Sequence, residues 1–146
     1  MLQGQIASAI ETNIYSVLSP PYDAVYQIQH PQGKLVRVIK GTVFDVAVDI
    51  RRNSETYGQW VAETLSSENK KILWIPPGFA HGFYVISKTS EFIYKCTDYY
   101  APEFEKTLLW NDPDLAIDWP ISNGEMPLQS AKDAEALPFK ESEYFS

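Results

Sequence analysis

Residues 42–50 (TVFDVAVDI) alternate between bulky apolar side chains and smaller or charged ones. The apolar positions are Phe44, Val46, Val48 and Ile50, and the positions between them are Asp45, Ala47 and Asp49. A period of two is typical of a β-strand, because successive side chains point to opposite faces of a sheet. The sequence therefore predicts a strand with one apolar face in this region.

Several other short runs with strand-like composition follow one another along the chain. They cover residues 34–39, 59–65, 72–75, 83–87, 91–97, 107–110 and 117–119, with a candidate edge strand at 14–18. Turn residues such as Lys40-Gly41 and Pro76-Pro77-Gly78 separate them. Many short strands indicate an all-β sandwich or barrel. We expect one or two short helices at most, near the C-terminus, and Ser130 is a candidate N-cap for residues 130–136.

Length and charge restrict the class of protein. The chain has 146 residues, which fits one domain. Its 12 Lys and Arg against 19 Asp and Glu give a net charge of −7. Such a surface repels nucleic acids and anionic membranes, and no apolar run approaches the ~20 residues of a membrane span. The single cysteine, Cys96, excludes an internal disulfide and suits a reducing cytoplasm.

The basic residues are unevenly distributed. All three arginines, Arg37, Arg51 and Arg52, lie near Lys34 and Lys40 in the sequence. A local basic cluster in an acidic protein either binds a small anion such as a diphosphate or forms a solvated strand edge.

His81 and Tyr94 are the candidate proton-transfer residues. His81 lies between glycines in GFAHGF, and Tyr94 lies on the apolar face of residues 91–97. Each residue has an alternative structural role, His81 as a histidine bonded to a nearby carbonyl and Tyr94 as a core side chain. If residues 87–90 form a hairpin turn, His81 faces Cys96 and Tyr94 is its diagonal neighbour, roughly 7–8 Å away.

This combination suits proton abstraction beside a ketone. Such a reaction needs a base, an acid, and a cation or donor at the enolate oxygen, roles for which Tyr94 is a candidate acid and Lys34 a candidate cation. Metal sites in similar β-folds use two or three histidines with a carboxylate. The chain has two histidines and no His-x-His pair, so we expect no metal.

The chain resembles the dTDP-4-dehydrorhamnose 3,5-epimerases, a family with the cupin fold (a double-stranded β-helix or jelly-roll barrel). The resemblance is carried by QGKLVR at 32–37, DVAVDIR at 45–51, YGQW at 57–60, IPPGFAHGF at 75–83, WNDP at 110–113 and SAKD at 130–133. It implies a homodimer that uses no metal and no organic cofactor. The implied substrate is a dTDP-4-keto-6-deoxyhexose, which is epimerised at C3 and C5 through enolates on the way to dTDP-L-rhamnose.

The resemblance also implies roles for individual residues. Tyr94 would be the general acid, Lys34 would lie near the 4-keto oxygen, His81 would line the sugar pocket, and Asp133 would polarise a histidine base. Nucleotide-sugar contacts would come from Arg51, Tyr100, Glu105 and Lys132.

The N-terminal part departs from the family pattern. The family carries its base in Arg-Gly-Leu-His-Tyr-Gln, whereas residues 22–27 read YDAVYQ and place Val25, or Ala24 after a one-residue shift, at the histidine. We therefore divide the chain into a divergent or truncated segment, 1–25, and an epimerase-like domain, 26–146. His30 is five positions from Val25 and so predicted on the opposite face of a strand, which leaves His81 as the better substitute base.

Three functions remain open from the sequence. The chain is an active epimerase, a catalytically weak or inactive nucleotide-sugar binding homologue, or a related ketoisomerase or single-site epimerase.

Overall fold

A computed structural model describes the backbone of residues 11–18, 21–121, 128–129 and 136–142. Side chains are described for residues 26–121 and 136–142. Strands dominate, in the order β1 (Glu11–Leu18), β2 (Pro21–Gln27), β3 (Lys34–Lys40), β4 (Thr42–Asp49), β5 (Trp60–Ser66), β6 (Ile72–Ile75), β7 (Phe79–Val85), β8 (Thr89–Cys96), β9 (Glu105–Thr107) and β10 (Leu128–Gln129). Short 3-10 helices occupy Pro102–Phe104 and Phe139–Glu141. The predicted all-β class is confirmed.

The strands form two sheets. The four-stranded sheet has the order β1-β8-β3-β6. The six-stranded sheet has the order β10-β2-β7-β4-β5, with β9 also paired to β2. Consecutive strands often belong to different sheets, so the chain repeatedly crosses from one wall of the sandwich to the other.

The predicted hairpin between residues 81 and 96 is wrong. Strand β7 pairs with β2 and β4, whereas β8 pairs with β1 and β3. The turn after Val85 therefore carries the chain across to the other sheet instead of folding it back within one. His81 lies opposite Ala47 on β4, not opposite Cys96.

The main core fills the space between the sheets. It combines residues from β3, β4, β5, β6, β7 and β8, including Val36, Ala47, Leu65, Phe83 and Phe92. A second core covers the outer face of the six-stranded sheet, where Val46 and Val48 contact the C-terminal residues Leu108, Leu115 and Phe139. Strand β4 is therefore buried on both faces, and its acidic face is the inner one.

Most of the predicted strands are present, including the candidate edge strand, which is β1. The strand predicted at 83–87 is β7, which begins earlier, at Phe79, and therefore includes His81. It shows no strand at 117–119. The candidate helix at 130–136 lies outside the described residues except for Ala136, which is not helical.

Within the described residues, no helix has the length and apolar character needed to cross a membrane.

Candidate functional site

His81 and Asp45 form a buried pair on the inner face of the six-stranded sheet. His81 Nε2 lies 2.9 Å from Asp45 Oδ1. The His81 and Asp45 side chains are 7% and 1% exposed, so water does not screen the pair. Asp45 faces inward because it shares a strand face with Ala47, which lies in the core between the sheets.

Tyr94 and Lys34 lie on the opposite wall, in the four-stranded sheet. Tyr94 pairs with Val36 across β8 and β3, and Lys34 is two residues before Val36 on the same face. The Lys34 Nζ lies 6.0 Å from the centroid of the Tyr94 ring. Both residues are half-buried, so a phenol and an ammonium group stand together at the border of the interior.

A row of rings connects the two walls. Phe83 of β7 meets Phe92 of β8 across the interior, with ring centroids 4.8 Å apart. His81 comes two residues before Phe83, and Tyr94 comes two residues after Phe92. Each lies 6.3 Å, centroid to centroid, from the adjacent phenylalanine. His81 and Tyr94 therefore occupy the next layer of the sandwich, on facing walls.

This arrangement differs from the predicted one in a way that matters for chemistry. The hairpin would have made His81 and Tyr94 neighbours on a single sheet. The observed sheets place them on opposite sides of one interior space, because face-to-face sheets pack about 10 Å apart. A group held between the walls would meet the imidazole on one side and the phenol on the other.

Arg51 lies at the end of β4, where it is fixed by Asp49. Its Nε and Nη2 donate to Asp49 Oδ1 and Oδ2 at 2.9 and 2.7 Å, and its guanidinium stacks 4.8 Å from the Phe79 ring centroid. Gly78 has a φ of +86°, and a Cβ there would come within 2.8 Å of Arg51 Cγ, so the glycine leaves room for the arginine stem.

The carboxyl of Asp49 is strongly stabilised in its charged form. Burial alone would raise its pKa, but the hydrogen bonds from Arg51, Ser54 and Thr56 outweigh burial and hold the pKa well below its ordinary value. The same hydrogen bond to Asp49 raises the pKa of Arg51. Arg51 remains 45% exposed, which leaves part of its guanidinium accessible from solvent.

The other predicted contact residues are dispersed. Tyr100 is 48% exposed in the segment after β8, and Glu105 begins β9 opposite Gln27. Lys132 and Asp133 lie outside the described residues.

Two buried glutamines hold the segment that carries Tyr100. Gln27 Nε2 donates to Gln32 Oε1 at 3.2 Å, and Gln32 Nε2 donates to the Asp98 carbonyl at 2.8 Å. The backbone N–H of Ala101 donates to Gln27 Oε1 at 3.1 Å. The sequence did not predict these hydrogen bonds, although Gln32 lies within the matched motif QGKLVR.

Sequence reasoning also missed Asp45 as the partner of His81. The available signal was an acidic residue in the middle of a strongly apolar strand, which implies either a solvated face or a specific buried partner. The structure shows the second case.

Position 25 lies on β2 directly opposite His81 of β7, and it also pairs with Thr107 of β9. His30, in contrast to the buried His81, is 51% exposed, and its Nδ1 lies 3.5 Å from Asp98 Oδ2.

A small apolar hollow opens on the outer face of the six-stranded sheet, bordered by Val46, Val48, Leu108, Leu115 and Trp119. His81 also borders this hollow, whereas Tyr94 and Lys34, which belong to the other sheet, do not. Among the described residues, no group of three or more His, Cys, Asp or Glu is placed to hold a metal ion.

Comparison with known proteins gives one consistent result. A family model described as dTDP-4-dehydrorhamnose 3,5-epimerase matches residues 25–141. The dTDP-4-dehydrorhamnose 3,5-epimerase of Pseudomonas aeruginosa is 57% identical over 120 residues, which are 82% of this chain and 65% of that protein. The chain thus spans less than two thirds of the length of this relative.

Solved structures agree with the sequence match. A dTDP-6-deoxy-D-glucose-3,5-epimerase from Legionella pneumophila, in complex with dTDP-4-keto-L-rhamnose, has a TM-score of 0.88 and 51% identity, covering 92% of this chain and 71% of that one. A dTDP-4-dehydrorhamnose 3,5-epimerase from Elizabethkingia anophelis has the same TM-score with 43% identity, covering 92% and 74%. These likenesses confirm the predicted cupin jelly roll.

Proposed function

This chain belongs to the dTDP-4-dehydrorhamnose 3,5-epimerase family, and from that premise we propose that it binds a dTDP-4-keto-6-deoxyhexose and moves protons at C3 and C5. The product would be the corresponding 4-keto-L-sugar, an intermediate on the route to dTDP-L-rhamnose. We take residues 26–146 as the epimerase-like domain, and the family match covers residues 25–141.

The observation that carries the proposal is the placement of His81 and Tyr94 on facing walls of one interior. Inversion at a carbon requires that a proton leaves from one face and returns to the other. A single wall carrying all the titratable groups would favour exchange with retention. Facing walls supply an acid or base on each side of the sugar ring.

Lys34 supports the same reaction. Removal of a C–H proton beside a ketone places negative charge on the 4-keto oxygen, and a nearby ammonium group stabilises that charge in a site with little water. Lys34 Nζ lies 6.0 Å from the Tyr94 ring centroid, so it could contact the oxygen while Tyr94 contacts the carbon.

The nucleotide would bind at the rim, where the basic and aromatic groups are exposed. We propose Arg51, Tyr100 and Glu105 as contacts from the described residues, with Arg51 directed at the diphosphate. Lys132 as a further contact and Asp133 as a partner for a histidine base remain predictions, since both lie outside the described residues.

A second candidate function follows from position 25. The residue there is valine, and valine has no proton-accepting group, so a base on β2 at this position is absent. General-base catalysis typically contributes 10²–10⁴-fold, and its loss impairs turnover without preventing binding. The chain would then be a nucleotide-sugar binding homologue with slow or no epimerisation.

Deuterium exchange from solvent distinguishes these functions. The protein is incubated with dTDP-4-keto-6-deoxyglucose in D2O, incorporation at C3 and C5 is followed by NMR, and dTDP binding is measured separately by calorimetry. Exchange at both carbons supports the epimerase, and exchange at one carbon supports a single-site epimerase. Binding without exchange supports the binding homologue, and absence of binding contradicts the whole proposal.

We further propose that the protein works as a homodimer in the cytoplasm. The chain has a single cysteine, Cys96, so it cannot form an internal disulfide, which suits a reducing compartment. Light scattering coupled to gel filtration would test the assembly, and a mass near 16.6 kDa for the particle would contradict a dimer.

A further inference from the structure

The chain contains two histidines, and only one of them lies on the inner face of a sheet. His30 is half-exposed beside Asp98, on the loop between β2 and β3. His81 is buried beside Asp45 in the layer that faces Tyr94. Enolisation of the proposed sugar substrate requires a base that removes the proton from C3 or C5. The imidazole of His81 lies on the wall opposite Tyr94 and is the candidate for this role.

We propose that the His81–Asp45 pair is the general base of this chain. The inference rests on the proposed function, and it assigns the base to β7 and β4 instead of β2. Asp45 accepts the Nε2 proton of the neutral imidazole, which fixes the tautomer and leaves the lone pair on Nδ1. A buried carboxylate in this position also stabilises the imidazolium that forms when Nδ1 takes a proton.

His81, Lys34 and Tyr94 can together account for every proton and charge in the reaction. Nδ1 of His81 takes the proton from C3 or C5, and the C–H electron pair becomes the C=C bond of the enolate while the ketone oxygen gains negative charge. Lys34 offsets that charge. Tyr94, on the facing wall, gives its phenolic proton to the opposite face of the carbon. The resulting imidazolium and phenolate return to their starting forms by proton exchange with water.

The neighbouring buried carboxylate does not compete for this role. Asp49 is engaged by Arg51, Ser54 and Thr56, and its hydrogen bonds hold it in the ionised form. Asp45 by contrast has His81 as its hydrogen-bonded partner, at 2.9 Å. The two carboxylates on one face of β4 therefore have separate tasks, with Asp49 fastening the rim and Asp45 orienting the imidazole.

The test uses two substitutions at residue 81 and a matched control at the other histidine. His81→Gln keeps an N–H that can donate to Asp45 but has no basic nitrogen. His81→Ala leaves a space that free imidazole can enter. His30→Ala removes the surface histidine. Deuterium incorporation at C3 and C5 of dTDP-4-keto-6-deoxyglucose is measured for each, together with the dissociation constant for dTDP.

We expect His81→Gln and His81→Ala to lose about 10²–10⁴-fold in exchange rate, while dTDP binding changes less than about threefold. Imidazole in the buffer should restore part of the rate to His81→Ala and none to His81→Gln. His30→Ala should exchange as the unmodified chain does. A purely structural histidine would give no rescue by imidazole.

Three results would overturn the proposal. They are unchanged exchange in folded His81→Gln, no recovery of His81→Ala with imidazole although it still binds dTDP, and an unmodified chain that binds dTDP but exchanges no deuterium. In each of these cases the binding half of the proposed function survives. Failure of the unmodified chain to bind the nucleotide sugar would instead reject the proposed function, and this proposal with it.

Discussion

Val25 stands directly opposite His81 in the antiparallel pair of β2 and β7. Directly paired residues lie on the same face of a sheet. Position 25 therefore lies on the inner face of the six-stranded sheet, the same face as His81. A titratable group introduced there would meet a bound sugar from the same wall as His81.

The first prediction is a gain of activity in Val25→His. A histidine at position 25 adds a second base on the wall that faces Tyr94, so we expect deuterium exchange at C3 and C5 to rise by about tenfold. General-base catalysis typically contributes 10²–10⁴-fold, and the gain is smaller here because His81 already supplies a base. The dissociation constant for dTDP should stay nearly constant. NMR detection of deuterium and calorimetric titration provide the two measurements.

Ala24→His is the matched control for that gain. Residue 24 pairs with Gly82, one position along the strand, and so lies on the opposite face of the sheet. Its histidine should leave the exchange rate unchanged. Equal gains in both variants would show that the increase does not depend on placing the histidine on the inner face of the sheet.

The period-two pattern of residues 42–50 predicted β4 to within one residue. Alternation is a local signal, and local signals suffice for the existence of strands. The burial of the acidic residues on the other face could not be predicted from the local sequence. Asp45 is buried because His81, 36 positions away, supplies its partner, and no window of sequence around Asp45 contains that information.

The hairpin prediction failed for a related reason. A short turn such as the one after Val85 is compatible with two strands pairing in one sheet or with a crossover between sheets. The choice depends on which other strands occupy the edges of β7, and these are β2 and β4. The predicted proximity of His81 and Tyr94 thus depended on a pairing of β7 with β8 that does not occur. Their placement on facing sheets follows from the strand order, which the sequence did not predict.

A second prediction concerns the hydroxyl of Tyr94. Tyr94→Phe keeps the ring that packs against Phe92 and lies beside Lys34, but it removes the proton donor. We expect product formation to fall by about 10²-fold or more, because general-acid catalysis contributes on that scale, with little change in dTDP binding. Coupled assay of the product and calorimetry measure the two effects.

Tyr99→Phe serves as the control for Tyr94, since the Tyr99 side chain is 68% exposed and outside the interior. It should have no effect on product formation. Parallel losses of product formation and dTDP binding in Tyr94→Phe would indicate a structural tyrosine.

A third prediction is the pH dependence of stability from the Asp49–Arg51 pair. The pKa of Asp49 in the folded protein lies below its unfolded value of about 3.9, so the ionised pair contributes stability above that pH and loses it progressively as the pH falls. Arg51→Leu should cost about 1.5–3 kcal/mol at pH 7, because hydrogen bonds to charged groups contribute that much. Urea unfolding at pH 7 and pH 3 would measure both effects.

The difference in unfolding free energy between Arg51→Leu and the unmodified chain should shrink at pH 3. Arg52→Leu is the neighbouring control, and as an exposed side chain it should change stability by less than about 0.5 kcal/mol. A cost that is the same at both pH values would mean that Arg51 acts through packing on Phe79 and not through the carboxylate.

The final prediction tests how the C-terminal segment is attached to the outer core. Asp112 is 1% exposed, and it accepts hydrogen bonds from three backbone N–H groups. Its Oδ1 accepts from Asp114 and Leu115 at 2.8 and 3.1 Å, and its Oδ2 accepts from Phe139 at 2.7 Å. The last of these bonds joins residues 27 positions apart and closes the segment over β4.

Asp112→Ala would leave buried N–H groups of Leu115 and Phe139 without an acceptor, and each costs about 1–3 kcal/mol. We expect a total loss of about 3 kcal/mol in urea unfolding, with Asp112→Asn intermediate because its amide oxygen can still accept. Asp114→Ala is the matched control: its ion pair with Lys140 is on the surface and should contribute no more than about 1 kcal/mol. Similar losses for Asp112→Ala and Asp114→Ala would show that the buried hydrogen bonds of Asp112 contribute no more to stability than a surface ion pair.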